Sequence, residues 1–339
     1  ALPFAGADVA VHCLERGGAV ADRLTAAGVS VSIGDGTPAG CTAWARGASV
    51  DVVSGHHVPL AVTQSLATLG LPVVETLHNT FAWYGPDEWA EERERADLVA
   101  DAVAVSETVA AYYERRTRFR PAHTVPNAVH PGRVTAVPRS FARRLLGVAG
   151  EGPVFVSVGR LAQQKNLPGL LAAFARLHRE YPDARLLLAG PKDPSVSLAT
   201  LRRTHSPIFA SGAVRWLETR RDVGTVLSAA DAYVSAAFYE GWSVAASEAA
   251  WVGLPLLLSD VGGAAELVGS GSGPGDGPRG RVVVHPCGDP LGVDDAAIAM
   301  QEDAARATHE VELAAAMTMI AADLQGWRAR GGEIRAWAR

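Results

Sequence analysis

The chain has 339 residues, of which 48% are hydrophobic and 20% are charged, and its 31 basic and 36 acidic side chains give a formal net charge of −5. This composition excludes a disordered chain, and basic residues spread along the sequence argue against a nucleic-acid-binding protein. The length fits about two domains of ~100–200 residues each.

The sequence has no apolar run of ~18 residues, so it predicts no transmembrane helix, and no signal peptide is expected at its start. Its three cysteines, Cys13, Cys41 and Cys287, are widely spaced and fit neither a disulfide framework nor a zinc site. They favour a reducing, cytoplasmic setting. All but two of the basic residues are arginine, which together with the abundant alanine is typical of a high-GC bacterial gene, as in actinobacteria.

Short β-rich runs alternate with helical stretches along the whole chain. The first series lies at residues 8–14, 29–33, 50–53, 72–76, 102–105 and 123–125, with helices such as 19–27 and 87–100 between them. The second series lies at residues 153–158, 185–189, 214–217, 232–236, 255–259 and 281–284. Continuous apolar strands between amphipathic helices indicate parallel sheets covered on both faces. Two such series predict an α/β chain with two Rossmann-like domains.

The stretch 126–153 is rich in proline and glycine, and we place the boundary inside it, giving an N-terminal domain over residues 1–137 and a C-terminal domain over residues 138–339. The strand that normally opens such a fold is expected to be absent from the first domain, because only the helix-like residues 1–6 precede the run at 8–14. The glycine-rich stretch 269–280 predicts a mobile surface loop.

A cationic motif follows the first strand of the second series. That strand ends at Val158, Gly159 permits a tight turn, Arg160 and Lys165 follow, and Asn166 is a good N-cap for the next helix. Two cations beside a helix N-terminus at the carboxyl edge of a sheet favour an anion site, and a guanidinium with an ammonium suits a diphosphate. Lys165 is also one of only two lysines. The alternative is a pair of solvated surface cations near a turn.

A second motif carries two carboxylates. Glu240 lies at a strand-to-helix turn, and Glu248 lies eight positions later in a helix that starts near Ser243. Eight positions return to a similar face of a helix, two turns on. Carboxylates accept hydrogen bonds from paired hydroxyls, which favours a sugar at the turn and a ribose at the helix. The backbone N–H groups of Gly241 to Val244 suit hydroxyl or phosphate oxygens. The alternative is two ordinary helical glutamates.

These segments resemble the donor-binding half of retaining GT-B glycosyltransferases, specifically glycosyltransferase family 4 (glycosyl transferases group 1). The resemblance rests on Gly159-Arg160 with Lys165 after four residues, on Glu240 and Glu248, and on VGG (261–263) with AAELV (264–268). Upstream, it extends to ETLHNT (75–80), AVSET (104–108) and VPNAVHPGR (125–133).

The resemblance implies a GT-B fold of two Rossmann-like domains that face each other across a cleft. Residues 1–137 would then be the acceptor domain and residues 138–339 the nucleotide-sugar donor domain. Arg160 and Lys165 would bind the diphosphate. The remaining donor contacts would come from Leu217 at the base, Glu248 at the ribose, and Glu240 with the amides of Gly241, Trp242, Ser243 and Val244 at the sugar. Trp242 and Ser243 occupy a place where size and polarity could select among sugars.

Three histidines end strands of the first series. By the resemblance, His78 lies near the anomeric carbon of the donor, whereas a structural hydrogen-bonding residue is the alternative. His56 and His57 end another strand at the same sheet edge, where either an acceptor contact or no role is expected.

The expected activity is transfer of a sugar from a nucleoside diphosphate donor to a small-molecule or lipid-linked acceptor with retention of configuration. A UDP-sugar is the favoured donor. No cofactor and no metal are expected, and the catalytic residues would be His78, Glu240, Arg160 and Lys165. Two alternatives remain open, a UDP-sugar 2-epimerase of the same architecture and a non-catalytic nucleotide-sugar-binding module.

Overall fold

The computed structural model describes residues 7–339, so the helix-like stretch expected at residues 1–6 lies outside the described part. The described chain divides into two compact units. The N-terminal unit comprises residues 7–78, 84–104 and 113–124, and the C-terminal unit comprises residues 79–83, 105–112 and 125–339.

The N-terminal unit contains two parallel sheets in its described residues. Strands β1 (Ala10–Cys13) and β2 (Ser30–Ile33) form one of them. The other has the order β3 (Val53–Gly55), β4 (Val73–Leu77), β5 (Asp101–Ala104) and β6 (His123–Thr124). The helices of this unit are α1 (Ala19–Ala26), α2 (Pro38–Gly47), α3 (Leu60–Ala67) and α4 (Pro86–Leu98), while α5 (Glu107–Thr117) belongs in part to each unit.

The C-terminal unit is built on one seven-stranded sheet. Its strands are β7 (Val154–Val158), β8 (Arg185–Ala189), β9 (Val214–Trp216), β10 (Ala232–Ser235), β11 (Leu256–Ser259), β12 (Gly275–Gly277) and β13 (Gly280–Val283). Its helices are α6 (Arg139–Leu145), α7 (Leu167–Glu180), α8 (Leu198–Thr204), α9 (Ser206–Ala210), α10 (Val223–Ser228), α11 (Val244–Val252), α12 (Ala264–Val268), α13 (Asp295–Ala299), α14 (Asp303–Ala322) and α15 (Leu324–Ala338).

The strand order across this sheet is β9-β8-β7-β10-β11-β13-β12. The first six strands in this order are parallel. Numbered along the chain from β7, with β12 left out, they follow the Rossmann order 3-2-1-4-5-6. The chain therefore changes direction across the sheet between β7 and β10. Crevices for ligands form at such a switch point, beyond the carboxyl ends of the strands.

A strand occurs at each of the twelve predicted runs, although β3 overlaps its run, 50–53, only at Val53, and the mixed α/β fold with parallel sheets is confirmed. The loop predicted at 269–280 differs, because Gly275–Gly277 forms β12 and pairs antiparallel with β13. A Gly-Asp-Gly strand has no hydropathy pattern, and it is held at the edge of the sheet by backbone hydrogen bonds to β13.

The main hydrophobic core lies under α7 in the C-terminal unit. Leu167, Leu170, Leu171, Phe174 and Leu177 line one face of this helix and are almost fully buried. Their spacing is the 3.6-residue period of an amphipathic helix. Asn166 caps the helix as predicted, with its Oδ1 accepting a hydrogen bond from the Gly169 N–H at 3.2 Å. Within residues 7–339, no helix is long and apolar enough to cross a membrane.

Candidate functional site

The two predicted motifs of the C-terminal unit meet at the switch point. Strands β7 and β10 are hydrogen-bonded neighbours, so the loops that follow Val158 and Ser235 leave the sheet side by side. Two hydrogen bonds connect these loops. The Phe238 N–H donates to the Gln164 carbonyl at 2.9 Å, and the side-chain Nε2 of Gln164 donates to the Tyr239 carbonyl at 2.8 Å.

Lys165 and Glu240 lie in these loops and form an ion pair, Nζ to Oε1. Their side chains are 22% and 13% exposed, so the ion pair is largely buried but still accessible to solvent. Gly159 makes room for it. The glycine has φ 154°, and a Cβ there would lie 3.3 Å from Lys165 Cε. The structure thus brings one predicted phosphate ligand and one predicted sugar ligand into direct contact.

Burial and the nearby positive charge of Arg160 lower the pKa of Lys165 to about 8. The Glu240 carboxylate acts in the opposite direction and favours the ammonium. Lys165 is therefore largely charged at neutral pH, yet it lies in surroundings that solvate its charge poorly. An arriving anion would supply charge compensation that water does not.

Arg160 points to a different partner. Its Nη1 donates to Asp193 Oδ2 at 3.0 Å, and its side chain is 61% exposed. Hydrogen bonds from Ser195, with Arg160 in support, lower the pKa of Asp193, so this carboxylate is ionised. A diphosphate would have to draw the guanidinium from Asp193 or share it. No sequence signal indicated Asp193, which lies 33 residues away.

Two glycines, Gly241 and Gly263, pack against each other at the turn that follows Glu240. The Gly263 N–H donates to the Gly241 carbonyl at 2.9 Å, and a side chain on Gly263 would collide with the Trp242 ring. Trp242 is only 8% exposed, and its Nε1 donates to Ser247 Oγ at 2.9 Å. The Trp242 ring is thus packed inside the protein, and selection of the donor sugar at Trp242 and Ser243 stays a prediction.

Helix α11 begins beside this turn. Ser243 is its N-cap, and Ser243 Oγ accepts a hydrogen bond from the Ala246 N–H at 3.3 Å. The N–H groups of a first helical turn lack partners within the helix, and those of the 241–244 stretch lie at this end. They remain candidates for sugar or phosphate oxygens, since the N-terminal end of a helix favours negative charge.

Glu248 lies within α11 and is 2% exposed. It is not a carboxylate without a partner, because Arg133 Nε contacts its Oε1. This arginine stands 115 residues earlier, in the VPNAVHPGR segment, and no sequence pattern predicted its contact with Glu248. Leu217, the residue expected at the base, follows β9 and is half-buried, and its N–H donates to the Leu188 carbonyl at 2.8 Å.

His78 follows β4 in the N-terminal unit, and its partner is another histidine. His56 Nδ1 and His78 Nε2 are 2.8 Å apart, and the two rings stack with centroids 5.1 Å apart. Burial, followed by the charges of His56 and His57, lowers the pKa of His78. The imidazole is thus neutral at neutral pH. The partnership of His56 with His78 was not predicted.

His57 has a left-handed backbone with φ 60°. Its N–H donates to Glu75 Oε1 at 2.6 Å, and Glu75 is a buried carboxylate on β4. Burial and then the charge of Arg95 lower the pKa of His57. A cavity of about 200 Å³ opens within this unit and is lined by His57, Tyr84, Glu88, Glu91 and Arg95, among others. No motif in the sequence predicted it.

In the described part of the chain, no three His, Cys, Asp or Glu side chains converge as metal ligands would.

Two family models match the chain. The model described as Glycosyltransferase Family 4 matches residues 1–133, and the model described as Glycosyl transferases group 1 matches residues 139–289. The second match contains the whole switch-point site.

The chain is similar to curated proteins of Mycobacterium tuberculosis. It is 35% identical to a glycogen synthase over 114 residues, which are 34% of this chain and 27% of that protein. It is 32% identical to an alpha-maltose-1-phosphate synthase over 158 residues, which are 43% of this chain and 37% of that protein. The matched segments therefore span well under half the length of these relatives.

Solved structures share the fold. HepE of Anabaena in complex with UDP has a TM-score of 0.70 at 18% identity, covering 95% of this chain and 85% of that one. Sucrose-phosphate synthase of Thermosynechococcus elongatus has a TM-score of 0.60 at 19% identity, covering 98% and 95%. At such identities the likeness concerns the fold alone, and that fold is GT-B. The chain belongs to the group 1, family 4 glycosyltransferases.

Proposed function

We propose that the chain transfers a sugar from a UDP-sugar to a small-molecule or lipid-linked acceptor, with retention of configuration and without a metal ion. The observation that carries the proposal is the meeting of Lys165 with Glu240 at the switch point of the C-terminal sheet. A cation and a carboxylate side by side match a ligand with an anionic diphosphate joined to a hydroxyl-rich sugar. HepE, a protein of the same fold, binds UDP.

The main requirement of the reaction is stabilisation of the leaving group, the diphosphate. When the bond between the anomeric carbon and the diphosphate oxygen breaks, negative charge builds on the diphosphate. Lys165, Arg160 and the N-terminal end of α11 would stabilise that charge, and a preorganised set of donors does so without reorganisation during the reaction. Glu240 would accept hydrogen bonds from sugar hydroxyls and so orient the donor.

The remaining donor contacts follow from the order of the strands. Glu248, deeper in α11, is suited to the ribose hydroxyls. The backbone at Leu217 lies after β9, two strands from β7, and would meet the base. The donor sugar would also be contacted by backbone N–H groups, those of Gly241, Trp242, Ser243 and Val244.

Retention is supported by the surroundings of His78. An inverting enzyme needs a general base on the face opposite the leaving group, with a pKa near the working pH. The hydrogen-bond partner of His78 is His56 rather than a carboxylate, and burial lowers its pKa. We therefore assign His78 to contact with the donor sugar. The acceptor oxygen attacks the anomeric carbon on the face that the diphosphate leaves, and its proton passes to a diphosphate oxygen.

The test is a panel of UDP-sugars, each incubated with the protein alone and then with candidate acceptors. Transfer is followed by UDP release, and proton NMR of the first product gives its anomeric configuration. We expect an α-linked donor to give an α-glycoside, with activity unchanged in excess EDTA. Inverted product contradicts the retaining mechanism, and activity lost to EDTA but restored by Mg²⁺ contradicts metal independence.

The same incubations distinguish the two alternatives. A change of configuration at C2 of the sugar without an acceptor would indicate a 2-epimerase. Tight UDP-sugar binding without transfer or slow hydrolysis would indicate a binding module. No described observation favours either one over transfer.

A further inference from the structure

Glu248 and Arg133 form an ion pair of unequal exposure. The Glu248 side chain is 3% exposed, whereas the Arg133 side chain is 63% exposed. A carboxylate this deeply buried requires a compensating charge, and the arginine provides it from the surface. The contact runs through Nε to a single carboxylate oxygen, Oε1.

The segment that carries Arg133 is fixed on both sides. The Arg133 N–H donates to the His130 carbonyl at 2.9 Å, which closes a turn before it. Val134 is 2% exposed, and the Val137 N–H donates to Ser228 Oγ at 3.1 Å. The guanidinium is therefore presented to Glu248 by an anchored backbone, although most of its side chain faces solvent.

We propose that Arg133 is a positioning residue for the nucleotide ribose. An ionised carboxylate has two oxygens and about four acceptor sites. Arg133 holds Oε1 and fixes the plane of the carboxylate, so that the other oxygen accepts from the adjacent ribose hydroxyls. Arg133 thus acts through Glu248 and sets the preference for a ribonucleotide over a deoxyribonucleotide. This inference rests on the assignment of Glu248 to the ribose.

The test measures the affinities of UDP and 2′-deoxy-UDP by calorimetry for the wild type, Arg133→Gln, Arg133→Lys, Glu248→Gln and the double variant Arg133→Gln/Glu248→Gln. We expect Arg133→Gln to weaken UDP about tenfold, the usual size of a lost charge-assisted contact, and to weaken 2′-deoxy-UDP less. Arg133→Lys should recover part of the UDP preference, because an ammonium restores the charge without the planar fork. On the Glu248→Gln background, Arg133→Gln should have little further effect.

Arg176→Ala is the matched control, since Arg176 is also a partly exposed arginine paired with a glutamate, Glu310, at 3.9 Å. It should change neither affinity. Thermal unfolding of every variant separates ligand effects from loss of fold, and the conservative lysine variant carries the test if the glutamine variant unfolds.

Equal weakening of both nucleotides by Arg133→Gln, or additive effects of the Arg133 and Glu248 changes, would overturn the role of Arg133. A separate outcome concerns the site itself. If Glu248→Gln leaves the ratio of UDP to 2′-deoxy-UDP affinity unchanged, Glu248 does not bind the ribose, and both that assignment and this inference fail. If Glu248→Gln abolishes the preference while both Arg133 variants keep it, only the inference fails.

Discussion

The two units carry polar side chains at the carboxyl ends of parallel strands, but they hold them differently. In the C-terminal unit, β7 and β10 are the strands that precede Lys165 and Glu240; seven of their nine positions are buried, and both side chains have little exposure. In the N-terminal unit, β3 and β4 are the strands that precede His56 and His78; only four of their eight positions are buried, and the two histidines lie at the surface, partly shielded from water, where they contact each other. Core packing positions the first pair, whereas mutual contact positions the second.

This difference suggests which contacts each unit depends on. A side chain placed by a core keeps its position when a neighbour is changed, because the backbone beneath it is fixed by many contacts. A side chain placed by one partner loses its surroundings when that partner is removed. Substitutions in the two units can sharpen or break this comparison.

The largest effect is expected at Asp231, just before β10. Its side chain is 1% exposed and pairs with Arg139 at 3.1 Å, Arg143 at 2.7 Å and Arg328 at 2.8 Å. Asp231→Asn should lower the free energy of unfolding by about 3–5 kcal/mol, because Arg143 would remain as an uncompensated buried charge. Urea denaturation measures this change.

The matched variant in the N-terminal unit is Glu92→Gln. Glu92 pairs with Arg95, which also lies 3.7 Å from Glu75, so one carboxylate would remain beside the arginine. We expect a smaller loss than for Asp231→Asn. An equal or larger loss would mean that the N-terminal unit depends on its buried charges as heavily as the C-terminal unit does.

The second effect concerns the proposed donor site. Lys165→Ala should weaken UDP binding by about ten- to a hundredfold, equivalent to ~1.5–3 kcal/mol, while the C-terminal unit stays folded. The control is Lys192→Ala, which removes the other lysine, placed 4.6 Å from the centre of the Trp216 ring. Calorimetry with both variants measures the difference. Equal affinities for the two would remove Lys165 from the site.

The contrast between the units also explains what could be predicted from the sequence. Strands such as β7 and β8 were located to within a residue because their apolar runs are local signals. The sequence placed Lys165 and Glu240 where a strand leads into a helix, because each follows an apolar run, but it did not show that the two strands, β7 and β10, are neighbours in the sheet. Whether the site residues bind a donor stays a prediction.

The partners of the site residues could not be predicted. Asp193, Arg133 and His56 lie 33, 115 and 22 residues from the residues that they contact. Each is an ordinary polar residue in a turn or loop, and polarity alone carries no information about which distant side chain it meets. The buried state of Trp242 was missed for the same reason, because the space beneath it depends on Gly263 from another part of the chain.

The third prediction is a pH dependence of donor binding. The pKa of Lys165 is about 8, so its ammonium is present below pH 8 and is lost as the pH rises through that value. UDP affinity should therefore be constant from pH 7 to 7.5 and fall above pH 8, where the phosphates, with a second pKa of about 6, no longer titrate. In Lys165→Ala this fall should disappear. A fall of the same size in the variant would assign the dependence to another group.

The smallest effect is expected in the N-terminal unit, at the histidine pair. Burial lowers the pKa of His78 most, and the charges of His56 and His57 lower it further. His56→Asn removes one of those charges, because a protonated imidazole 2.8 Å away opposes protonation of its neighbour. The pKa of His78 should then rise, yet it should stay below the ordinary value of an imidazole, since burial and His57 still act on it. Titration of the His78 ring signals by NMR measures the shift, with His123→Asn as a control at an exposed histidine of the same unit. Because the pair is held by mutual contact, we also expect the His78 ring signals to broaden in His56→Asn and not in the control. A sharp signal with an unchanged pKa would show that the unit positions His78 without its partner, and the contrast between the two units would then fail at His78.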